Sequence, residues 1–177
     1  MQHLTDEQLI AIYQSNKDGQ GQIALACLYD RYAKKMLNFF YYSLHNDYNK
    51  AQDFVHDLFL KIIEKHHTFN NNQAFKPWIY GIASNMCKNE FRDNKVTQKY
   101  NDYVISTTDT IVIIDEKEKS IRKCVGELNQ AQRSLIVLRF KLKLTIKEIA
   151  EINDCAEGTI KSRLFHATQK LSTLYKK

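Results

Sequence analysis

TIKEIAEINDCAEGTIKSRLFHATQKL, residues 145–171, carries the clearest structural pattern in the chain. Thr145 followed by Glu148 is a capping box: the threonine hydroxyl accepts from the third helical N–H and the glutamate reaches back to the cap's own N–H. It opens a short helix through Ile149, Ala150 and Ile152. Asn153–Asp154 then favours a turn, because short polar side chains bond nearby backbone and tolerate the left-handed conformation. A longer helix runs from about Glu157 to Tyr175. At about 100° per residue, Ile160, Leu164, Ala167, Leu171 and Leu174 fall within about 40° of one line, a narrow apolar stripe. Lys161, Ser162, Phe165, His166 and Gln169 centre on the opposite side. A short capped helix, a turn and a helix with this polar outer face make a helix-turn-helix. The stripe packs inward while the N-terminal outer face enters a major groove. Lys161 suits a phosphate or a guanine, Ser162 suits either, and an outward Phe165 suits a thymine methyl. A plain amphipathic helix in a bundle shows the same stripe; the cap, the turn and the local charge favour DNA.

That charge is uneven. The 177 residues carry a net +6. Residues 121–177 hold twelve Lys and Arg against five Asp and Glu, a net +7, while residues 1–95 stand at +1 and residues 96–120 at −2. A basic C-terminal third points to a polyanion, usually nucleic acid; a solvated basic face is the plain alternative. Five glycines and one proline argue against a turn-rich β fold and for long helices. Cys27, Cys87, Cys124 and Cys155 show no CxxC pair and no histidine at ligand spacing. Each sits in an apolar helical pattern and is expected as a buried free thiol, as in a reducing compartment. The opening MQHLTDEQL has neither the basic start nor the apolar stretch of a signal peptide. No run approaches the roughly 20 apolar residues of a membrane span.

Working back towards the N-terminus, helical periodicity recurs. Thr5 with Gln8 opens a short first helix. After a break at Gly19–Gly21, Ile23 to about Leu44 reads as a long helix with Leu25, Leu28, Tyr29, Tyr32, Met36, Phe39 and Phe40 inside. A third helix starts near Asp47 with Ala51, Phe54, Val55, Leu58 and Ile62 as its apolar set. A fourth runs from around Phe75 to about Lys95, with Pro77 in its first turn, where a missing N–H costs nothing. Between them HHTFNNNQAF, residues 66–75, favours a loop, since asparagine side chains compete with backbone hydrogen bonds. From Val96 to about Asp115 the periodicity lapses around one apolar run, Ile111–Ile114, which reads as a linker with a local docking point. Asn129 with Gln132 then caps a helix carrying Leu135, Ile136, Leu138 and Phe140.

Residues 145–171 resemble the promoter-reading region 4 of bacterial sigma factors, closest to the small extracytoplasmic-function group. LYDRY (28–32), QDFVHDLFLKII (52–63) and FKPWIYGIASNMCKNEFR (75–92) are similar to that group's region 2. The motifs stand in order and at family spacing across nearly the whole chain, the linker matching only in length and character. The resemblance implies an all-α protein of two small helical domains, residues 1–95 and 120–177, joined by a flexible linker at 96–119. It implies that the first domain docks on the coiled coil of the polymerase's largest subunit and opens the −10 element. The second reads the −35 element as duplex, close to the polymerase flap region, and the linker threads towards the active cleft and RNA exit path. Asp53, His56, Asp57 and Phe59 would face polymerase, with Leu60 as the apolar edge of that face. The 66–75 loop would capture a flipped −10 base, Phe69 stacking on it and Asn70, Asn71 and Asn72 bonding its edge. Asn85, Lys88, Asn89 and Arg92 would touch the non-template strand and upstream edge, whereas Trp78 belongs to the core. In region 4, Thr159, Lys161, Ser162, Arg163, Phe165, His166 and Gln169 would face the −35 element. The family implies no catalytic residue, metal, other cofactor or small-molecule substrate. It does imply an anti-sigma partner, a monomeric free state and a cytoplasmic site of action.

Four positions depart from the family pattern. His56 stands where glutamine is common, which would make polymerase affinity pH-sensitive. Ala156 replaces a usual serine at the recognition-helix N-cap, a change worth about 1 kcal/mol. Asn153 occupies a usually apolar slot. His166 stands where arginine is frequent, and a neutral histidine has no bidentate contact to offer, which leaves the −35 sequence open.

Two rival readings fit the sequence less well. A stand-alone helix-turn-helix regulator usually dimerises, but no second apolar stripe is long enough for a coiled coil. It would also leave the acidic-polar third helix and the asparagine loop without a purpose. A metal-dependent helical enzyme would draw on Asp53, His56 and Asp57 with His66–His67. The last two lie beyond the helix end, and a metal site needs three or four converging ligands. No glycine-rich phosphate loop or nucleophile elbow is present.

Overall fold

Apolar positions that recur every three or four residues, with few glycines and one proline to interrupt them, commit the backbone to helices. The computed structural model describes residues 1, 3–15, 19–97 and 116–176, and every regular element among them is helical. Helix α1 (Asp6–Ser15) opens on the Thr5–Gln8 pair, whose side chains each accept the other's backbone N–H at 2.8 and 3.2 Å. Helix α2 (Gly21–Ser43) follows Gly19, which takes φ +69°, a conformation that only glycine enters without steric cost. His45 and Asn46, both left-handed, turn the chain into Asp47, whose carboxylate accepts from Lys50 N at 3.0 Å and caps α3 (Tyr48–Lys65). Helix α4 (Phe75–Thr97) closes the first half.

Helix α5 (Glu116–Gly126) begins inside the segment expected as linker, and α4 runs on to Thr97, so both ends of that segment are helical. The Ile111–Ile114 run and its expected docking point lie outside the described residues. Helix α6 (Gln130–Ile136) is capped by the Asn129 side chain, which accepts from Gln132 N at 2.9 Å. It widens into one π turn, Val137–Lys141, with Leu142 N donating to Val137 O at 3.0 Å. The wider turn shifts the helical phase of its own residues, so Phe140, expected on the inner side, is exposed. Helices α7 (Ile146–Ile152) and α8 (Glu157–Tyr175) complete the chain.

The two halves share one core. Leu28, Met36, Phe39, Phe40, Leu58, Ile62 and Ile79 from the first half join Leu138, Leu144, Ile149 and Ile160 from the second in a single buried cluster. A smaller cluster of Leu128, Ile136 and Ala167 ties α5 and α6 to α8. Helix α7 lies across α4 at Gly81, where a Cβ would meet only Ile152 O, at 3.8 Å. Beside this crossing Lys76 Nζ donates to Glu148 at 2.7 Å.

Arg133 is the other link, and it is 3% exposed. Its guanidinium donates to the main-chain carbonyls of Gly126 (2.6 Å), Leu128 (3.0 Å), Val125 (3.3 Å) and, across the junction, Ser43 (3.5 Å). It also lies over the Phe91 ring. The C-terminal ends of α2 and α5 bring partial negative charge to this cation, which replaces a carboxylate partner.

Candidate nucleic-acid interface

The helix-turn-helix forms as its local chemistry dictates. Thr145 N donates to Glu148 Oε2 at 2.7 Å while Thr145 Oγ1 accepts from Glu148 N at 3.2 Å, the capping box of α7. Burial pushes the Glu148 carboxyl up, but the hydrogen bonds from Lys76 and Thr145 outweigh it and hold the group below the usual glutamate range. At the other end of α7 Asn153 Nδ2 donates to Ile149 O at 2.9 Å, so this polar departure closes the helix end, and Asp154 turns at φ +48°. Ala156 caps α8 with no side-chain bond. Ile160, Leu164 and Ala167 are buried, and Leu171 and Leu174 half-buried. Lys161, Ser162, Arg163, His166 and Gln169 are exposed, Thr159 is half-buried, and Phe165 is 63% exposed. The Phe165 ring packs edge-on against His166, 5.6 Å between ring centres.

A second polar surface lies on the first half. Asn85, Lys88, Asn89 and Arg92 are exposed along α4. After α3 a 3₁₀ turn, His66–Thr68, leads into a tight turn in which Asn70 O accepts from Gln73 N and Asn70 Oδ1 from Asn72 N, both at 3.0 Å. Asn71 Nδ2 donates to Gln14 Oε1 at 2.8 Å. Gln14 Nε2 in turn donates to His66 O (2.6 Å) and Phe69 O (3.0 Å), and Glu7 accepts from Phe75 N at 2.9 Å. Asn72 and Asn85 line a cleft with Trp78 and Ile82, whose far wall is Glu151 and Ile152 of α7.

The third surface is on α3, where Asp53, His56 and Asp57 are exposed in a row beside Leu60, itself 56% exposed. Three polar groups edged by one exposed leucine form a continuous face along α3.

Residues 28–97 match the family Sigma-70 region 2 and residues 118–171 match Sigma-70, region 4. The chain belongs to the sigma-70 family, in its extracytoplasmic-function group. This sigma factor is 25% identical to the ECF RNA polymerase sigma-E factor of Haemophilus influenzae, over 96% of this chain and 95% of that one. Among solved structures, the sigma factor RpoE of Bartonella quintana, in complex with the anti-sigma factor NepR, is 28% identical. It superposes with a TM-score of 0.62 over 79% of this chain and 89% of its own. CnrH, in complex with the cytosolic domain of CnrY, shares the fold over 97% of both chains at a TM-score of 0.71 and 20% identity.

Two expected site residues of this sigma factor lie elsewhere. Phe59 is 6% exposed and stacks on Tyr29 at 4.7 Å, so it belongs to the core and not to the polymerase-facing row. It falls on the α3 stripe next to Leu58, and packing against α2 claims it. Phe69 is 4% exposed, wedged against Phe75 and Trp78 at ring distances of 5.7 and 5.1 Å. It anchors the loop from below and has no free face for a base, while Trp78 packs partly buried on the same cluster. Of the thiols, Cys87 and Cys124 are buried, but Cys27 and Cys155 only half-buried. Burial, with Glu90 nearby, pushes the Cys87 thiol up to about 12. Among the described residues no group of three or more His, Cys, Asp and Glu converges on a metal position, and no helix is long and apolar enough to cross a membrane. Gln14 and Glu7 carried no signal in the sequence, because their partners lie 52 to 68 residues away.

Proposed function

We propose that this sigma factor binds core RNA polymerase and directs promoter-specific initiation, residues 1–95 serving the −10 element and residues 120–177 the −35 element, with 96–119 between them. One observation carries the reading: a single chain matches both sigma regions in order and presents a polar, partly basic face on the helix of each that the family uses. On α8, Thr159, Lys161, Ser162, Arg163, Phe165, His166 and Gln169 meet base edges and phosphates in the major groove. On the first half Asn70, Asn71, Asn72, Asn85, Lys88, Asn89 and Arg92 take the opened strand, the amides bonding splayed base edges. Capture there relies on amides and not on ring stacking from Phe69, which is held in the core; Asn72 is the loop asparagine that lines the cleft.

Asp53, His56, Asp57 and Leu60 dock on the coiled coil of the largest polymerase subunit, and the flap region receives the second half. The protein performs no catalysis, takes no small-molecule substrate, and works as a cytoplasmic monomer when free. An anti-sigma protein is a further partner, supported by the complex with the anti-sigma factor NepR in which the similar RpoE was solved. The test is co-elution with bacterial core polymerase on size exclusion, alongside Asp57→Arg. The expected result is co-elution of the wild type that the charge reversal on an exposed residue abolishes without loss of helicity. Absence of wild-type co-elution in low and moderate salt would remove the polymerase assignment.

A further inference from the structure

The amide of Gln14 makes three hydrogen bonds, all to the loop between α3 and α4: two donated, to His66 O and Phe69 O, and one accepted, from Asn71. Both ends of the amide are therefore used, and its orientation is set by the partners. Its neighbour on α1, Tyr13, packs edge-on against the His66 ring at 5.0 Å. One turn of helix is not enough to span the loop, so its far end is held by a second α1 residue, Glu7, at Phe75 N. Helix α1 is itself fixed to α2: Asp6 accepts from Arg31 and from the Tyr32 hydroxyl, both at 2.6 Å, and Leu9 and Ile10 are fully buried. A chain of contacts thus runs from α2 through α1 to both ends of the loop.

Within the loop the asparagines differ. Asn70 uses its side-chain oxygen on the turn and Asn71 its amide on Gln14, whereas the Asn72 side chain makes no hydrogen bond among the described residues and lines the cleft. A base-reading amide is selective only if the backbone beneath it is held, because a loop free to shift re-forms its bonds with any base.

We infer that Gln14 is a positioning residue for −10 recognition: helix α1, which precedes the matched region 2, holds the 66–75 loop so that Asn72 meets one base geometry. The inference rests on the proposed −10 role of the loop. Its test is transcription by core polymerase with wild type or Gln14→Met, a variant of similar size with no hydrogen-bonding group. The template is a library randomised in both promoter elements and barcoded in the transcript. One mismatched base pair typically costs roughly tenfold in binding, and Gln14→Met is expected to flatten the −10 preference to about twofold. The −35 preference and core co-elution should stay as in wild type. An unchanged −10 preference overturns the inference, and so does a parallel fall at both elements or in core binding, which marks a merely structural role. If Gln14→Met fails to fold, Gln14→Glu, which keeps the acceptor towards Asn71 and loses both donors to His66 O and Phe69 O, decides by the same readout. Asn72→Ala separates the two layers. If it flattens the −10 preference and Gln14→Met does not, the positioning role falls and the loop assignment stands. If neither does, both fall.

Discussion

His45 sits in the left-handed region at φ +59°, packed beside the Phe91 ring of α4. Burial, then the charges of Arg133 on α6 and Lys50 on α3, hold its pKa below the ordinary 6.5. Tyr42 and Lys141 line the same cavity, so among the described residues a protonated ring finds cations there and no carboxylate in the cavity wall. The folded protein keeps this histidine neutral while the unfolded chain takes up its proton as the pH falls through 6.5. Stability is therefore full above that value and is lost as the pH drops towards the lowered one. His45→Asn keeps a residue that tolerates left-handed backbone and removes the titration. Urea midpoints measured at about pH 7.5 and about pH 5.5 should fall for the wild type and fall less for His45→Asn. Little of this is legible in the sequence, because the burial of His45 is decided by packing and the charge of Arg133 comes from far along the chain, with only Lys50 close by. The burial of Phe59 and Phe69 is illegible for a related reason. A resemblance gives a position its family role, while burial of an aromatic is decided by what packs over it.

Helices are the most legible part of the molecule, since stripe and cap are local. Thr5–Gln8, Asp47, Asn129 and Thr145–Glu148 all stand at helix starts with their side chains bonded as their types predict. The π turn after α6 is not legible, as no residue type demands one, and the early start of α5 is hidden by its low apolar content. A weak point among the caps is Ala156, which, like Gln20 before α2, leaves the first N–H groups of its helix without a side-chain acceptor. Ala156→Ser supplies one in backbone already extended at ψ 147°. It is expected to stabilise the protein by about 0.5–1 kcal/mol, raising the midpoint of thermal unfolding by about 1–4 °C. Circular dichroism melts check this, and an unchanged midpoint would mean that α8 does not fray from its N-terminus before the whole chain unfolds.

At the scale of the molecule, the two halves pack on each other, and their packing is not readable from sequence because each half satisfies its own helical pattern. The α4–α7 crossing places Glu151 opposite Asn72 and Asn85, so the second half forms one wall of the cleft beside the surface proposed to take the opened strand. Gly81 offers a narrow way to test the contact, since a Cβ there meets only the α7 carbonyl of Ile152. Gly81→Leu overpacks the crossing by about 1–3 kcal/mol and should separate the halves while helicity is retained. Small-angle scattering should give a radius of gyration of about 16 Å for a compact chain of this length. A larger value is expected for Gly81→Leu and the compact value for Gly81→Ala, whose Cβ sits at ordinary contact distance. Equal values in all three proteins would show that this contact does not hold the halves together in solution.

The bonds of Arg133 have a consequence for how the chain tolerates change. All four of its acceptors are main-chain carbonyls, those of Ser43, Val125, Gly126 and Leu128. A carbonyl oxygen persists whatever side chain its residue bears, so drift at those four positions leaves the guanidinium its partners. The obligation falls on one codon: lysine has the charge but not the planar fork that reaches two helix ends at once.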